Sequence, residues 1–274
     1  MSEGPETLGI IAGNQSLPIF LARQARKMGV QRLVAVAFEK ETDPAFADQV
    51  DEIQWLRVGQ LNKLSKAFTS RGVKQCVMVG QIAPSNLFDL RPDFRALGLL
   101  MRLKEKNAQT IFGGIADELA KDGVELISAI PWLRPLMPGT GFQLGPVPTE
   151  AQLADMKFGY HIATEVSRLE IGQIVVVKNG TVLAVEGFEG TDKCLTRGGE
   201  LAGKGGGAIA IKVAKEDHNM RFDIPCIGER TLQVCADKGI KVLAFEPGRT
   251  LVLDEELVGE LCRRHKICLT TLVS

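Results

Sequence analysis

"TLGIIAGNQSLPIFLARQARKMGVQRLVAVAFE", residues 7–39, decides the fold. Residues 7–13 form an apolar run that ends at a glycine. "LPIFLARQARKMG" (17–29) spaces its apolar residues as a helix does and stops at Gly29. "RLVAVAFE" (32–39) is apolar almost throughout. Strand, helix, strand is the unit of a parallel sheet. Strands without polar alternation are buried on both faces, so helices must cover both sides.

The same rhythm continues. "EIQWLRV" (52–58) reads as a weaker strand and "QLNKLSKAFTSRG" (60–72) as a helix. "KQCVMVGQI" (74–82) is a strand, "TIFGGIADELAKDG" (110–123) a helix and "VELISAI" (124–130) another strand. Then "PWLRPLMPGTGFQLGPVPTE" (131–150) interrupts it with five prolines, so no helix or central strand is expected there. We place a domain boundary near residue 145, giving domains 1–145 and 146–274. Trp132, Leu133, Leu136 and Met137 are expected to pack on a domain. The second half begins with a helix at 150–169. In "GQIVVVKNGTVLAVEGF" (172–188), Asn179-Gly180 lies between β-branched runs, a strong type I′ hairpin signal. Strands at 207–215, 240–246, 250–253 and 268–273 then alternate with helices at about 192, 229–239 and 254–266, which predicts a mixed sheet.

Composition narrows the function. Of 274 residues 45% are hydrophobic, enough for buried cores. Lys+Arg and Asp+Glu are both 33, so no global basic field invites nucleic acid. No segment approaches the roughly 18 apolar residues of a membrane span. The opening "MSEGPETLGIIAG" has no basic stretch ahead of its apolar run, so a secretory leader is not expected. Six cysteines without a CxxC pair suit a reduced, cytoplasmic protein. The three histidines, His161, His218 and His265, lie far apart, which argues against the usual zinc sites. A metal, if used, would be a hard cation with oxygen ligands.

Five stretches carry candidate chemistry, each with an ordinary alternative. In the first βα turn, Gly13, Asn14, Gln15 and Ser16 precede a helix start whose N–H groups could hold a phosphate. The alternative is a plain turn with Ser16 as N-cap. The full GxGxxG fingerprint is absent, which weakens a dinucleotide site and a Rossmann-type oxidoreductase reading. Gly80 and Gln81 end another strand and could join Gly13 around one ligand, or Gly80 could merely let the chain turn. "GGELAGKGG" (198–206) imitates a phosphate loop at Gly198, Gly203 and Lys204, but Gly205 stands where Ser or Thr belongs. The order there is helix then strand, so it reads as a flexible connection.

"VEGFEGTDKCL" (185–195) holds Glu186, Glu189 and Asp192. Thr191 is a good N-cap and Asp192 suits a first helical turn. A phosphate at Gly190 and Thr191 would instead need a bridging Mg²⁺ to tolerate those carboxylates. "KVAKEDHNMRFDIPCIG" (212–228) sets Asp223 among apolar residues before a proline, where it could ligate a metal or orient a water. Lys215 could neutralise phosphate charge; otherwise Asp223 caps a turn and Lys212 and Lys215 are exposed strand residues. Finally, "LFDLRPDFRALGLLMRLKEKNAQ" (87–109) mixes leucines with Arg and Lys, as a lipid-facing segment or an ordinary amphipathic helix would.

"LGIIAGNQSLP", "RLEIGQIVVVKNGTVLAVEGFEGTD" and "KVAKEDHNMRFDIPCIG" together resemble the LpxI type of UDP-2,3-diacylglucosamine pyrophosphatase, over nearly the whole chain. The resemblance implies a Rossmann-like N-terminal domain, a C-terminal α/β domain peculiar to the family and a substrate between them. It implies Mg²⁺-dependent hydrolysis of a UDP-linked diacyl glucosamine lipid to UMP and 2,3-diacylglucosamine 1-phosphate, with water attacking the phosphorus nearer the sugar. Asp223 would be the key carboxylate, with Glu189, Gly190, Thr191 and Asp192 in the same cleft and Asp223 and Asp192 toward the metal. It also implies a homodimer in lipid A biosynthesis, compatible with peripheral contact at the inner membrane. The first loop is poorer in glycine than the family's, so Asn14 and Gln15 side chains would replace backbone contacts there. Trp132–Met137 and the leucine-rich 87–103 segment are expected to help line an acyl groove. A nucleotide-dependent oxidoreductase, or a non-catalytic nucleotide- or lipid-binding protein, are the alternatives.

Overall fold

The computed structural model describes residues 4–82, 92–105, 108–214, 221 and 224–272. They form two compact units that divide between Leu133 and Arg134.

The first unit is an α/β layer structure. Its elements are β1 (Thr7–Ala12), α1 (Leu17–Lys27), β2 (Arg32–Phe38), β3 (Glu52–Leu56), α2 (Leu61–Thr69), β4 (Gln75–Val79), α3 (Phe94–Arg102), α4 (Ala108–Lys121), β5 (Glu125–Leu126) and α5 (Ile130–Leu133). The strands pair in parallel in the order β3-β2-β1-β4-β5. The chain winds outward from β1 through β2 and β3, then crosses to β4 on the other side. The crevice between β1 and β4 is therefore a topological switch point, where open α/β sheets bind ligands beyond their strand ends. Alternate residues of the strands, Ile11, Val34, Val36 and Met78 among them, pack against Leu64 and Phe68 of α2 and Leu119 of α4. Each such buried side chain contributes about 1.5–3 kcal/mol. Helix α1 buries Leu17, Leu21 and Ala25 at spacing four, the stripe its sequence predicts.

The second unit contains β6 (Gln143–Leu144), α6 (Glu150–Arg168), β7 (Ile174–Lys178), β8 (Thr181–Val185), α7 (Thr191–Leu201), β9 (Ala208–Lys212), β10 (Cys226–Ile227), α8 (Glu229–Asp237), β11 (Ile240–Phe245), β12 (Leu251–Val252), α9 (Glu255–His265) and β13 (Cys268–Thr271). Its main sheet has the order β6-β13-β11-β9-β7-β8. β13, β11 and β9 run parallel, while β6, β7 and β8 supply the antiparallel pairings. One face, with Val175, Val177 and Ile211, packs on Met156 and Ala163 of α6. The other, with Ile174, Val176 and Phe245, packs on Leu195, Leu232 and Val258 of α7, α8 and α9. The hairpin is as predicted: Asn179 and Gly180 both have positive φ, 48° and 69°. Both turn N–H groups donate to the Asp155 carboxylate, at 2.7 Å each.

Some local details differ from the sequence reading. Gln143–Leu144, ahead of residue 145, pair with β13 in the second unit. A short helix, α5, forms inside the proline-rich stretch. Pro131 is its second residue, where a missing N–H removes no helical bond. Trp132 and Leu133 are buried in the first unit, and Met137 is buried too. Trp132 and Leu133 are thus core residues and not an open groove lining. The glycines at 198–206 end α7 and turn into β9, as the helix-then-strand order implied. A Cβ at Gly198 would lie 2.5 Å from that of Val176, so this glycine serves helix–sheet contact.

Candidate active site

In the first unit the expected turn residues do meet. Gly13 N–H donates to the Val79 carbonyl at 2.8 Å and Asn14 N–H to the Gln81 carbonyl at 2.7 Å. A Cβ on Gly13 would lie 2.5 Å from the Gln81 oxygen. One on Gly80, whose φ is +87°, would lie 2.7 Å from the Asn14 oxygen. The two backbones touch at the β1–β4 crevice, and only glycine fits there. The N–H groups of Gly13 and Asn14 are therefore spent on this contact. The first turn of α1 follows directly. Ser16 is its N-cap residue, but the Ser16 side chain makes no capping bond. Gln15 holds φ +68°, an uncommon conformation outside glycine, and its Nε2 reaches Gln81 Oε1 at 3.3 Å.

Asn14 adds a residue that sequence patterns missed. Its Nδ2 donates to Glu41 Oε2 at 3.4 Å, while its Oδ1 is buried without a hydrogen-bond partner. Glu41 also lines a cavity of about 780 Å³ beyond β2 and β3, with Glu39, Thr42, Asp43 and Trp55. Lys40 lines it as well, so the cavity presents both signs of charge beside the aromatic face of Trp55.

In the second unit, register brings another set together. Ile174 lies opposite Lys212, and Val175 opposite Val185, so the ends of β8 and β9 share one sheet edge. Glu186, just past β8, is buried and accepts from Gln173 N–H at 3.0 Å and Thr191 Oγ1 at 2.9 Å. The N-cap of α7 is Gly190 at φ +85°, not Thr191. Thr191 is the first helical residue, and its hydroxyl ties back to Glu186. Glu189 accepts from Gly187 N–H at 3.0 Å and pairs with Arg197 at 2.6 Å. The Arg197 guanidinium holds the Glu189 carboxyl below its usual range. Asp192 pairs with Arg230 Nε at 2.6 Å. Lys212 is buried at the end of β9, donating to the Cys226 carbonyl at 3.1 Å, rather than exposed. Its place in an apolar strand hid it from pattern reading. Gln173 Oε1 at this edge is buried without a partner.

Asp223 and Lys215 lie outside the described residues. Among the described residues, no three His, Cys, Asp or Glu side chains are grouped to hold a metal ion. Of the two expected metal ligands, only Asp192 is in view, and it is neutralised by a guanidinium. The described residues alone do not compose a cation site.

Both units match known family models. Residues 7–136 match the LpxI N-terminal domain and residues 139–270 the LpxI C-terminal domain. The chain belongs to the LpxI family. It is 32% identical over 261 residues to the UDP-2,3-diacylglucosamine pyrophosphatase LpxI of Caulobacter vibrioides (strain ATCC 19089 / CIP 103742 / CB 15), covering 92% of each chain. Among solved structures, N5-carboxyaminoimidazole ribonucleotide synthetase from Thermotoga maritima aligns with 67% of this chain and 41% of its own. That match has 12% identity and a TM-score of 0.24.

Proposed function

We propose that this LpxI family chain hydrolyses the pyrophosphate bond of UDP-2,3-diacylglucosamine, releasing UMP and 2,3-diacylglucosamine 1-phosphate for lipid A synthesis. One observation carries this reading. Both family domains are matched in order, and a relative named for that activity is 32% identical over 92% of the chain. The chemistry is compatible. Pyrophosphate cleavage needs charge neutralisation, an oriented water and a stabilised leaving phosphate, and no histidine or cysteine nucleophile.

The finer assignments belong to the same proposal. Asp223 is the principal catalytic carboxylate, supported by its apolar setting before Pro225 and by the resemblance of its motif. Lys215 and Lys212 bring positive charge toward the phosphates. Asn14, Gln15, Ser16 and Gln81 contact the nucleotide part, on a turn that Gly13 and Gly80 hold together, and Gly190 and Thr191 the phosphate part. Mg²⁺ would be held by Asp223, with Asp192 contributing if Arg230 yields it, and would supply charge neutralisation. A homodimer working in the cytoplasm, in peripheral contact with the inner membrane, completes the reading.

The test is direct. Purified protein and detergent-dispersed UDP-2,3-diacylglucosamine should release UMP, a chelator should stop release and Mg²⁺ should restore it. No UMP under any metal condition sinks the hydrolase. UMP release unaffected by chelation removes only the metal. Asp223→Ala at near wild-type turnover removes the carboxylate assignment.

A further inference from the structure

Helix α3 is apolar on two opposite sides. Ala96 and Leu99 are buried, in a cluster with Leu61 of α2. On the other side Phe94 is 94% exposed, Leu97 45% and Met101 77%. These three recur at i, i+3 and i+7, so they form one continuous stripe facing away from the core. A soluble helix normally turns charged residues outward there. A stripe of large apolar side chains in water marks a surface made for a partner.

One flank of the stripe carries exposed basic side chains. Arg95 and Arg102, one helical turn apart from each other twice over, lie together on one flank. Arg95, Arg102 and Lys121 converge on Glu118, at 2.8, 3.0 and 2.5 Å. Arg95 also pairs with Asp122. The shared carboxylate Glu118 is almost covered, whereas the Arg102 and Lys121 side chains are 62% and 56% exposed. Within this cluster three cations stand against two carboxylates, one of them buried beneath. Lys104 and Glu105, just past α3, are both exposed, as is Asp117 of α4.

We propose that α3 is a membrane-docking helix: Phe94, Leu97 and Met101 enter the lipid layer while Arg102, Lys104 and Lys121 meet anionic headgroups. Apolar insertion flanked by Lys and Arg is the pattern of interfacial helices. Three side chains fall far short of the about 800 Å² per partner of a standard protein interface, which disfavours a second copy of the chain. Bilayer docking requires no such area. The inference deepens the lipid-hydrolase reading, because a diacyl substrate must be collected from a membrane. Among the described residues no helix is long and apolar enough to span one, so docking at the surface is what such a helix can do.

The experiment uses the full chain without substrate, floated with vesicles of phosphatidylethanolamine and phosphatidylglycerol at low salt. The wild-type chain should float with the vesicles and release several-fold more readily at high salt. The variant Phe94→Glu, Leu97→Glu, Met101→Glu should partition at least about tenfold less, and Phe94→Ala alone a few-fold less. Thermal midpoints should stay unchanged, since these side chains face away from the core. A wild-type chain that fails to float, or a triple variant that floats equally, overturns the proposal. So does light scattering in which the triple variant halves the particle mass, because the stripe would then be a self-interface. UMP release from detergent-dispersed substrate is read separately. Its absence would sink the hydrolase reading and leave the flotation result standing.

Discussion

The two units each turn from a strand into a helix, and they build that turn in opposite ways. At β8–α7 the polar side chains are occupied. Glu186 takes two donors, Glu189 is held by Arg197 and its own loop, and Asp192 by Arg230. At β1–α1 the backbone does the structural work through Gly13 and Gly80, while Ser16 leaves the helix uncapped and Asn14 keeps a buried oxygen unpaired. Charged partners inside the second turn stabilise the fold. The first leaves the Asn14 oxygen buried and without a partner. The two turns should therefore respond differently to substitution.

The largest effect expected is at Gly13. Gly13→Ala forces a methyl into the Gln81 carbonyl and should cost about 3 kcal/mol or more, read by urea unfolding. A loss below about 0.5 kcal/mol would mean that the two backbones do not meet as described. Next comes Glu186→Gln, which weakens two hydrogen bonds to a buried carboxylate and should cost about 1–3 kcal/mol. Combined with Thr191→Val it should be less than additive, since both remove the same contact. Full additivity would separate the two residues.

A third effect concerns acid. Lys121 and Arg95 hold the Glu118 carboxyl down at about 2. A folded value below the unfolded one gives stability that is present above the unfolded pKa, about 4.3. That stability drains away as pH falls from there toward 2. Glu118→Gln should flatten the acid limb of the stability curve over that range. The smallest stability change belongs to Asn14→Ala. It removes an unpaired buried oxygen and one long hydrogen bond to Glu41, and should leave the thermal midpoint within a degree or two while raising KM about tenfold. An unchanged KM would place the nucleotide elsewhere. Were Asn14→Ala to unfold the chain and Glu186→Gln to spare it, the contrast between the turns would be reversed.

Much of this was legible in the residues. Apolar runs and glycine stops marked the alternating strands and helices, and Asn179-Gly180 marked its hairpin. Spatial order was not legible: nothing local says that β11 inserts between β9 and β13. The N-cap of α7 was misplaced by one residue because Thr191 has the better side chain. The backbone angle at Gly190 decided otherwise, and the threonine hydroxyl found the more demanding partner in a buried carboxylate. Lys212 read as solvent-facing because charge usually does. Glu41 and Trp55 belong to no motif, and only folding brings them beside Asn14. Asp223, the residue that the motif resemblance singled out most sharply, is one the described structure does not reach.

The hairpin between β7 and β8 has a consequence for how the protein ages. An Asn-Gly pair is the backbone sequence most open to deamidation, in which the glycine nitrogen attacks the asparagine side chain and closes a succinimide ring. Here that nitrogen is already committed, donating to Asp155 at 2.7 Å from a turn whose angles are fixed. To react, Gly180 must first leave its partner and the turn must open. The bond that ties the turn to α6 therefore also works as a chemical preservative. The helix that carries Asp155 sets the shelf life of a turn 24 residues further along the chain.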